Sequence, residues 1–168
     1  DAALVRGVID PQLSQRLESA RDRAIKSLST PRHLALLNEL VSAAAMPRVT
    51  ELGNSASKDV LPELVDRSFR RLARRVKQLE LEGPAEVWHE ARTSAKRARY
   101  SAEAVSGVFG GPAKRLADAL SEVTEILGDH QDACIAQDVL REMAATDGID
   151  GRTGFALGLL HEHEFETE

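Results

Sequence analysis

The chain has 168 residues, enough for one domain, with only 4% aromatic residues and an apolar set made mostly of Leu, Ala and Val. A domain of that size buries about 70% of its unfolded surface, and this composition suits close-packed helices better than a sandwich or barrel. A net charge of −5 argues against indiscriminate nucleic-acid binding.

The lone Cys134 excludes an internal disulfide framework and makes a reducing cytosol the default compartment. The longest uncharged apolar run, around Leu40 to Met46, is too short to span a bilayer. The first residues lack the apolar region of a signal peptide, and a start at Asp1 rather than Met leads us to expect a piece of a longer chain.

Asp10-Pro11 reads as a helix start, with Asp as cap and Pro at the first helical position. Leu13, Leu17, Ala20, Ala24 and Leu28 then recur at helical spacing as a core stripe. Thr30-Pro31 repeats the start signal for a helix through Leu34, Leu37, Leu40, Val41 and Ala44. The short junction predicts an antiparallel hairpin over about 10–46. Pro47 ends it, and Glu51 to Ser57, with Gly53, Asn54 and two serines, reads as a loop.

A third helix is predicted from Lys58 to about Leu81, with Leu61, Val65, Phe69, Leu72, Val76 and Leu79 as its core stripe. Arg67, Arg70, Arg71, Arg74 and Lys77 lie on the far side. An ordinary solvated charged face accounts for them equally well. Gly83-Pro84 then opens a helix from Trp88 to Glu103, ending within Gly107 to Gly111. Here His89, Arg92, Lys96, Arg99, Tyr100 and Glu103 share one face, while Val87, Ala91, Ala98, Ala102, Val105 and Phe109 seek the core. The cations stack on one another at i,i+3 and i,i+4, which costs an isolated helix roughly 0.2–0.5 kcal/mol per pair. Only Glu103, four residues beyond Arg99, relieves one end. Residues 67 to 99 hold ten Lys or Arg against four Glu, so the remainder of the chain carries −11. A basic island in an acidic body points to a focused anion site.

Pro112 opens a further helix with Leu116, Leu120, Val123 and Leu127 inward. Gly128 is expected to interrupt it, and Asp129 to cap a new helix carrying Ala133, Ala136, Val139, Leu140 and Met143. Thr146 to Thr153 reads as a turn, and the tail over 146–168 adds a short helix from Gly154 and an acidic end.

Several residues have modest readings. Asp129-His130-Gln131-Asp132 invites a metal-dependent phosphohydrolase, yet no adjacent His-Asp pair is present, and helix capping is preferred. His161 and His163, two apart, read as tail residues. Cys134 has no nearby His, which argues against a nucleophile. Trp88 reads as core packing rather than a stacking platform. His89 divides between a phosphate donor and a capping or core-edge residue, and Tyr100 between an anion contact and bundle closure.

The run His89-x-x-Arg92-x-x-x-Lys96-Arg97-x-Arg99-Tyr100-x-x-Glu103 resembles the signature of the CHAD domain, the histidine-containing α-helical domain that binds inorganic polyphosphate. Downstream, Leu127-Gly128-Asp129-His130-Gln131-Asp132-Ala133 is similar to that family's Leu-Gly-x-x-x-Asp segment. Both belong to the second of two similar helical halves, and no counterpart of the first-half motifs occurs, so the likeness covers about residues 10 to 145. The resemblance implies an all-α antiparallel bundle of about five to seven helices, half of a two-repeat fold, forming one domain with its signature-bearing part over about 58–145. It implies polyphosphate binding by His89, Arg92, Lys96, Arg97, Arg99 and Tyr100. Arg67, Arg70, Arg71 and Arg74 join them on the paired helix, the two helices lining one groove.

The expected function is that of a non-catalytic binding module without cofactor or membrane association, cytoplasmic and associated with polyphosphate granules. The missing half further suggests a homodimer, and relatives are often joined to a triphosphate-tunnel (CYTH) domain, whose strands of alternating Glu and Lys are absent here. A single-stranded nucleic-acid-binding domain is the main alternative, disfavoured because aromatic residues are not interleaved with the cations.

Overall fold

The computed structural model describes the backbone of residues 2–81 and 83–167, and the side chains of 6–81 and 83–164. Among these residues the chain is all-helical, with seven α-helices: α1 (Ala2–Leu28), α2 (Pro31–Ala45), α3 (Ser57–Val76), α4 (Ala85–Ala104), α5 (Ser106–Phe109), α6 (Gly111–Ala144) and α7 (Gly151–Thr167). A 3-10 turn over Glu51–Asn54 lies between α2 and α3.

Local chemistry sets several of the boundaries. Thr30 stands in extended backbone before α2, its Oγ1 accepting the His33 N–H at 3.3 Å, with Pro31 just inside. Between α5 and α6 the chain reverses at Gly110, whose φ of 60° is open to glycine and unfavourable for a side chain. At the start of α7, Asp150 accepts from the backbone of Arg152 and Thr153 at 2.9 and 3.1 Å and from Thr153 Oγ1 at 2.7 Å. Those bonds, first of all the one from the Thr153 hydroxyl, favour the carboxylate and hold its pKa below the ordinary range.

The main core joins α3, α4 and α6. Leu72 of α3, Ala95, Ala98 and Ala102 of α4, and Ala117, Leu120 and Leu127 of α6 form one buried cluster, flanked by Leu79, Trp88, Leu116 and Val123. The α4 stripe is almost wholly alanine, and Ala91, Ala95, Ala98 and Ala102 are at most 1% exposed. Small side chains at i, i+4, i+7 and i+11 let a neighbouring backbone come close. A second cluster ties α6 to α7 through Leu140, Met143 and Leu157, with Ile9 of α1 and Val139 against it. Arg16 of α1 adds an ion pair to Glu142 at 2.7 Å.

Six expectations need correction. First, α1 does not begin at Pro11 but runs through it. The bond Pro11 forgoes is to the carbonyl of Gly7, a solvent-exposed residue, so water can replace it. Second, the stripes expected to close an α1–α2 hairpin are open: Leu17, Leu28, Leu34, Leu40 and Val41 are all exposed, and α2 buries no residue. Third, α3 stops at Val76 rather than near Leu81, and Phe69 and Val76 of its stripe are exposed. Fourth, α4 ends at Ala104 before the short α5, and its buried face includes Ser94 and Ala95. Fifth, α6 is not interrupted at Gly128, which is buried inside a continuous helix of 34 residues, so Asp129 caps nothing. The tail helix α7 also begins three residues earlier than expected and packs through Thr153 and Leu157, both 1% exposed.

Candidate anion-binding seam

The two sequence motifs meet in space. Trp88 stacks on His130 with ring centroids 4.1 Å apart and planes inclined by 16°. His89 Nδ1 lies 3.1 Å from Gln131 Oε1. Arg92 rests on Gly128, its Nε and one terminal nitrogen each 3.6 Å from where a Cβ would stand. Arg99 donates to Ser121 Oγ and Thr124 Oγ1, both at 3.4 Å. Residue numbers rise along α4 as they fall along α6, so the helices are antiparallel and the signature face of α4 forms a seam with α6. Gln131, Gly128, Thr124 and Ser121 recur at three- and four-residue intervals, one face of α6.

The seam treats its cations unequally. Arg99 is well occupied: besides Ser121 and Thr124, its Nε lies 3.4 Å from Glu103 Oε1, an ion-pair contact without hydrogen-bond alignment, and its guanidinium sits 4.9 Å from the Tyr100 ring centroid. Arg92 and Lys96 are half-buried, and no carboxylate among the described residues pairs with either. Arg92 Nε is buried and has no acceptor among the described residues. A desolvated charged donor without a partner costs more than an exposed one. Tyr100 is 51% exposed, and its place in the bundle is to lie beside Arg99 rather than to close the core.

Arg97 is elsewhere. It is exposed and seven residues from Glu90, hence on the same side of α4. That side faces α3, because Glu90 Oε2 receives Arg75 at 2.8 Å. The other α3 cations are exposed. Arg67 and Arg70 pair with Glu63 and Asp66 one turn back, at 3.5 and 2.7 Å, whereas Arg71, Arg74 and Lys77 have no carboxylate partner among the described residues. A concavity of about 650 Å³ over this helix is lined by Glu63, Arg67, Arg70, Ala73, Arg74 and Lys77. All are α3 residues or its immediate C-terminal neighbour, so the expected single groove between α3 and α4 is replaced by an α4–α6 seam and a separate α3 face.

The modest readings also shift. Trp88 is core packing, as expected, and its Nε1 also donates to the Glu80 carbonyl at 3.2 Å, tying the α3–α4 connection. His130 is neither a cap nor grouped with Asp129 and Asp132; it lies mid-helix beneath Trp88. Cys134 does have a nearby histidine, its Sγ 3.7 Å from His130 Nδ1 one turn earlier. His161 is tied to α6, with Nε2 3.1 Å from Arg141. Thr124 and Ser121 escaped the sequence reading because each is ordinary by type, and Gly128 and Gln131 stood there in a motif without being read as partners of α4. Only the antiparallel register with α4 singles them out.

Two uncharacterised proteins from two strains of Mycobacterium tuberculosis are each 27% identical to this chain over 173 residues, covering 96% of it and 32% of their own length. The chain therefore spans about a third of the curated relatives it matches. No solved structure matches it. Among the described residues no helix is long and apolar enough to cross a membrane. The family model of the CHAD domain matches residues 4–141, which takes in both motifs of the seam, and the chain belongs to the CHAD domain family.

Proposed function

We propose that this protein binds inorganic polyphosphate along the α4–α6 seam, as a non-catalytic module. The observation that carries the reading is the pair Arg92 and Lys96, one helical turn apart at a half-buried seam, with no carboxylate among the described residues paired to either. Charge-assisted bonds to phosphate oxygens, bidentate for Arg92, would supply the missing acceptors. Release of condensed counterions adds to affinity. Arg99, already held by Ser121 and Thr124, stiffens the seam more than it grips the ligand. His89 stands at the end of the row. With its Nδ1 donating to Gln131, its Nε2 donates to phosphate only as the imidazolium.

We place the protein in the cytoplasm at polyphosphate granules, working beside a CYTH-type domain. The uncovered leucines of α1 and α2 make a homodimer the expected state of this stretch by itself. Light scattering that finds a monomer at all concentrations, with no dye-binding apolar surface, would overturn the dimer.

Lys96→Gln tests the function. Gln keeps helix propensity and removes one charge from the ladder. Polyphosphate affinity is expected to fall and the log–log salt slope to flatten by about 0.7 per lost contact, if the polymer behaves as a single-stranded nucleic acid does. Thermal stability stays level or rises slightly, while Arg32→Gln, outside the basic island, changes neither. A Lys96→Gln protein that melts several degrees lower with parental affinity and slope would make the ladder architecture. Single-stranded RNA that displaces polyphosphate at equal phosphate concentration would favour the nucleic-acid reading instead. Release of inorganic phosphate with Mg²⁺ or Mn²⁺ would favour a hydrolase.

A further inference from the structure

We infer that one copy of this protein carries two independent polyanion-binding surfaces and so bridges two segments of phosphate polymer, an inference that rests on the polyphosphate reading above. Glu90 and Arg92 are two residues apart, roughly 200° around an α-helix. Glu90 reaches α3 through Arg75, and Arg92 lies on Gly128 of α6. The α3-facing and α6-facing sides of α4 are therefore nearly opposite, with the body of α4 between them.

On α3, Leu72 points to the core shared with α4, while Arg74 and Lys77, two and five residues on, line the outward concavity. Arg71 and Arg74 line a second hollow with Arg75 and Gln78. No α4 or α6 residue contributes to either lining, so both hollows belong to the α3 face alone.

Charge makes the outer face a site in its own right. Its N-terminal cations are neutralised by Glu63 and Asp66, which concentrates the unpaired charge at Arg71, Arg74 and Lys77. These recur at i, i+3 and i+6, spaced about 4.5 Å along the axis, a repeat that suits a linear polymer of phosphates. Cations in the last turn also complement the negative end of the helix dipole, but that attraction amounts to only about half an elementary charge. Three unpaired cations exceed it.

The experiment is calorimetric titration with tripolyphosphate, a probe short enough to occupy one surface at a time, joined to light scattering with long-chain polyphosphate. The parent chain is expected to bind two tripolyphosphates. A triple variant Arg71→Gln, Arg74→Gln and Lys77→Gln retains one, and a double variant Arg92→Gln and Lys96→Gln retains the other. With long polymer the parent cross-links and scatters strongly near charge balance, whereas each variant, left with one surface per copy, scatters less than the parent. Circular dichroism confirms that the variants stay helical, as expected for half-buried or exposed positions changed to a good helix former. A parent stoichiometry of one, or a triple variant that keeps the parental stoichiometry, overturns the second surface and leaves the seam intact. A parent that binds no polyphosphate of either length overturns the function proposed above, and the bridging with it.

Discussion

Helices α2 and α4 invert the usual relation between hydropathy and burial. The sequence of α2 is mostly Leu, Ala and Val, yet none of its residues is buried. That of α4 carries four cations, yet Ala91, Ser94, Ala95, Ala98 and Ala102 are all buried. The difference lies in what each helix meets. The alanine row of α4 finds α6 on one side and α3 on the other, at a spacing small side chains permit, while the leucines of α2 have no covering helix among the described residues. Apolar content shows which face wants a partner. It does not supply one.

The largest effect should separate the covered core from the uncovered arm. Met143, fully buried between α6 and α7, is expected to lose about 2–5 kcal/mol of stability as Met143→Ala. In the dissociated monomer Leu40→Ala, at a position 57% exposed, should stay within about 0.5 kcal/mol. Urea unfolding of both variants reads the contrast directly, and a comparable loss at Leu40 would mean that a partner covers α2 in solution.

The alanine row predicts the next effect. Ala98→Leu adds volume where the wild-type side chain is 1% exposed, and overpacking of this kind costs about 1–3 kcal/mol. For a chain of this size each kcal/mol lowers the melting midpoint by roughly 2–4 °C. An unchanged midpoint would mean that α4 and α6 are not in close contact.

Gly128→Ala should work in the opposite direction. A Cβ there meets Arg92 at 3.6 Å, an ordinary contact, and replacing glycine within a helix gains up to about 1 kcal/mol. A drop in stability would show that the chain needs glycine's freedom at this point and that α6 bends there.

His89 gives a subtler signal. His89→Ala is expected to weaken polyphosphate binding a few-fold, about the worth of one charge-assisted hydrogen bond. Unchanged affinity would make it a structural partner of Gln131. The smallest effect concerns Asp150, whose lowered pKa stabilises the fold above the ordinary carboxylate range. This contribution disappears as pH falls through the lowered folded value. Asp150→Ala should therefore be less stable than the parent at neutral pH, and melting curves of the two should converge as the solution is acidified.

The sequence disclosed much of this where local chemistry decides structure. Thr30-Pro31, Gly83-Pro84 and Gly110 to Pro112 mark real boundaries because caps, proline and a positive φ act within a few residues. It misled where the answer depends on surroundings. Pro11 and Gly128 are breakers by type, but Pro11 forgoes a bond only at exposed Gly7, and Gly128 sits where Arg92 crosses α6. The cations of the basic island were legible as an island. Their division into a seam and an outer face was not, since helical period assigns Arg97 and Arg92 to different sides of α4 without saying which neighbour lies on each.

The continuity of α6 has a mechanical consequence. At about 1.5 Å per residue, its 34 residues make a rod roughly 50 Å long that carries the α4 contacts in its first two-thirds and the α7 contacts in its last third. Opening of α7 would uncover Leu140 and Met143 yet leave Leu120 and Leu127 clasped against α4. Amide hydrogen exchange along this one helix should thus fall into two regimes, fast beyond about residue 135 when α7 lifts away and slow before it. An anion seated beside Gly128 would be felt first as a change in the slow regime.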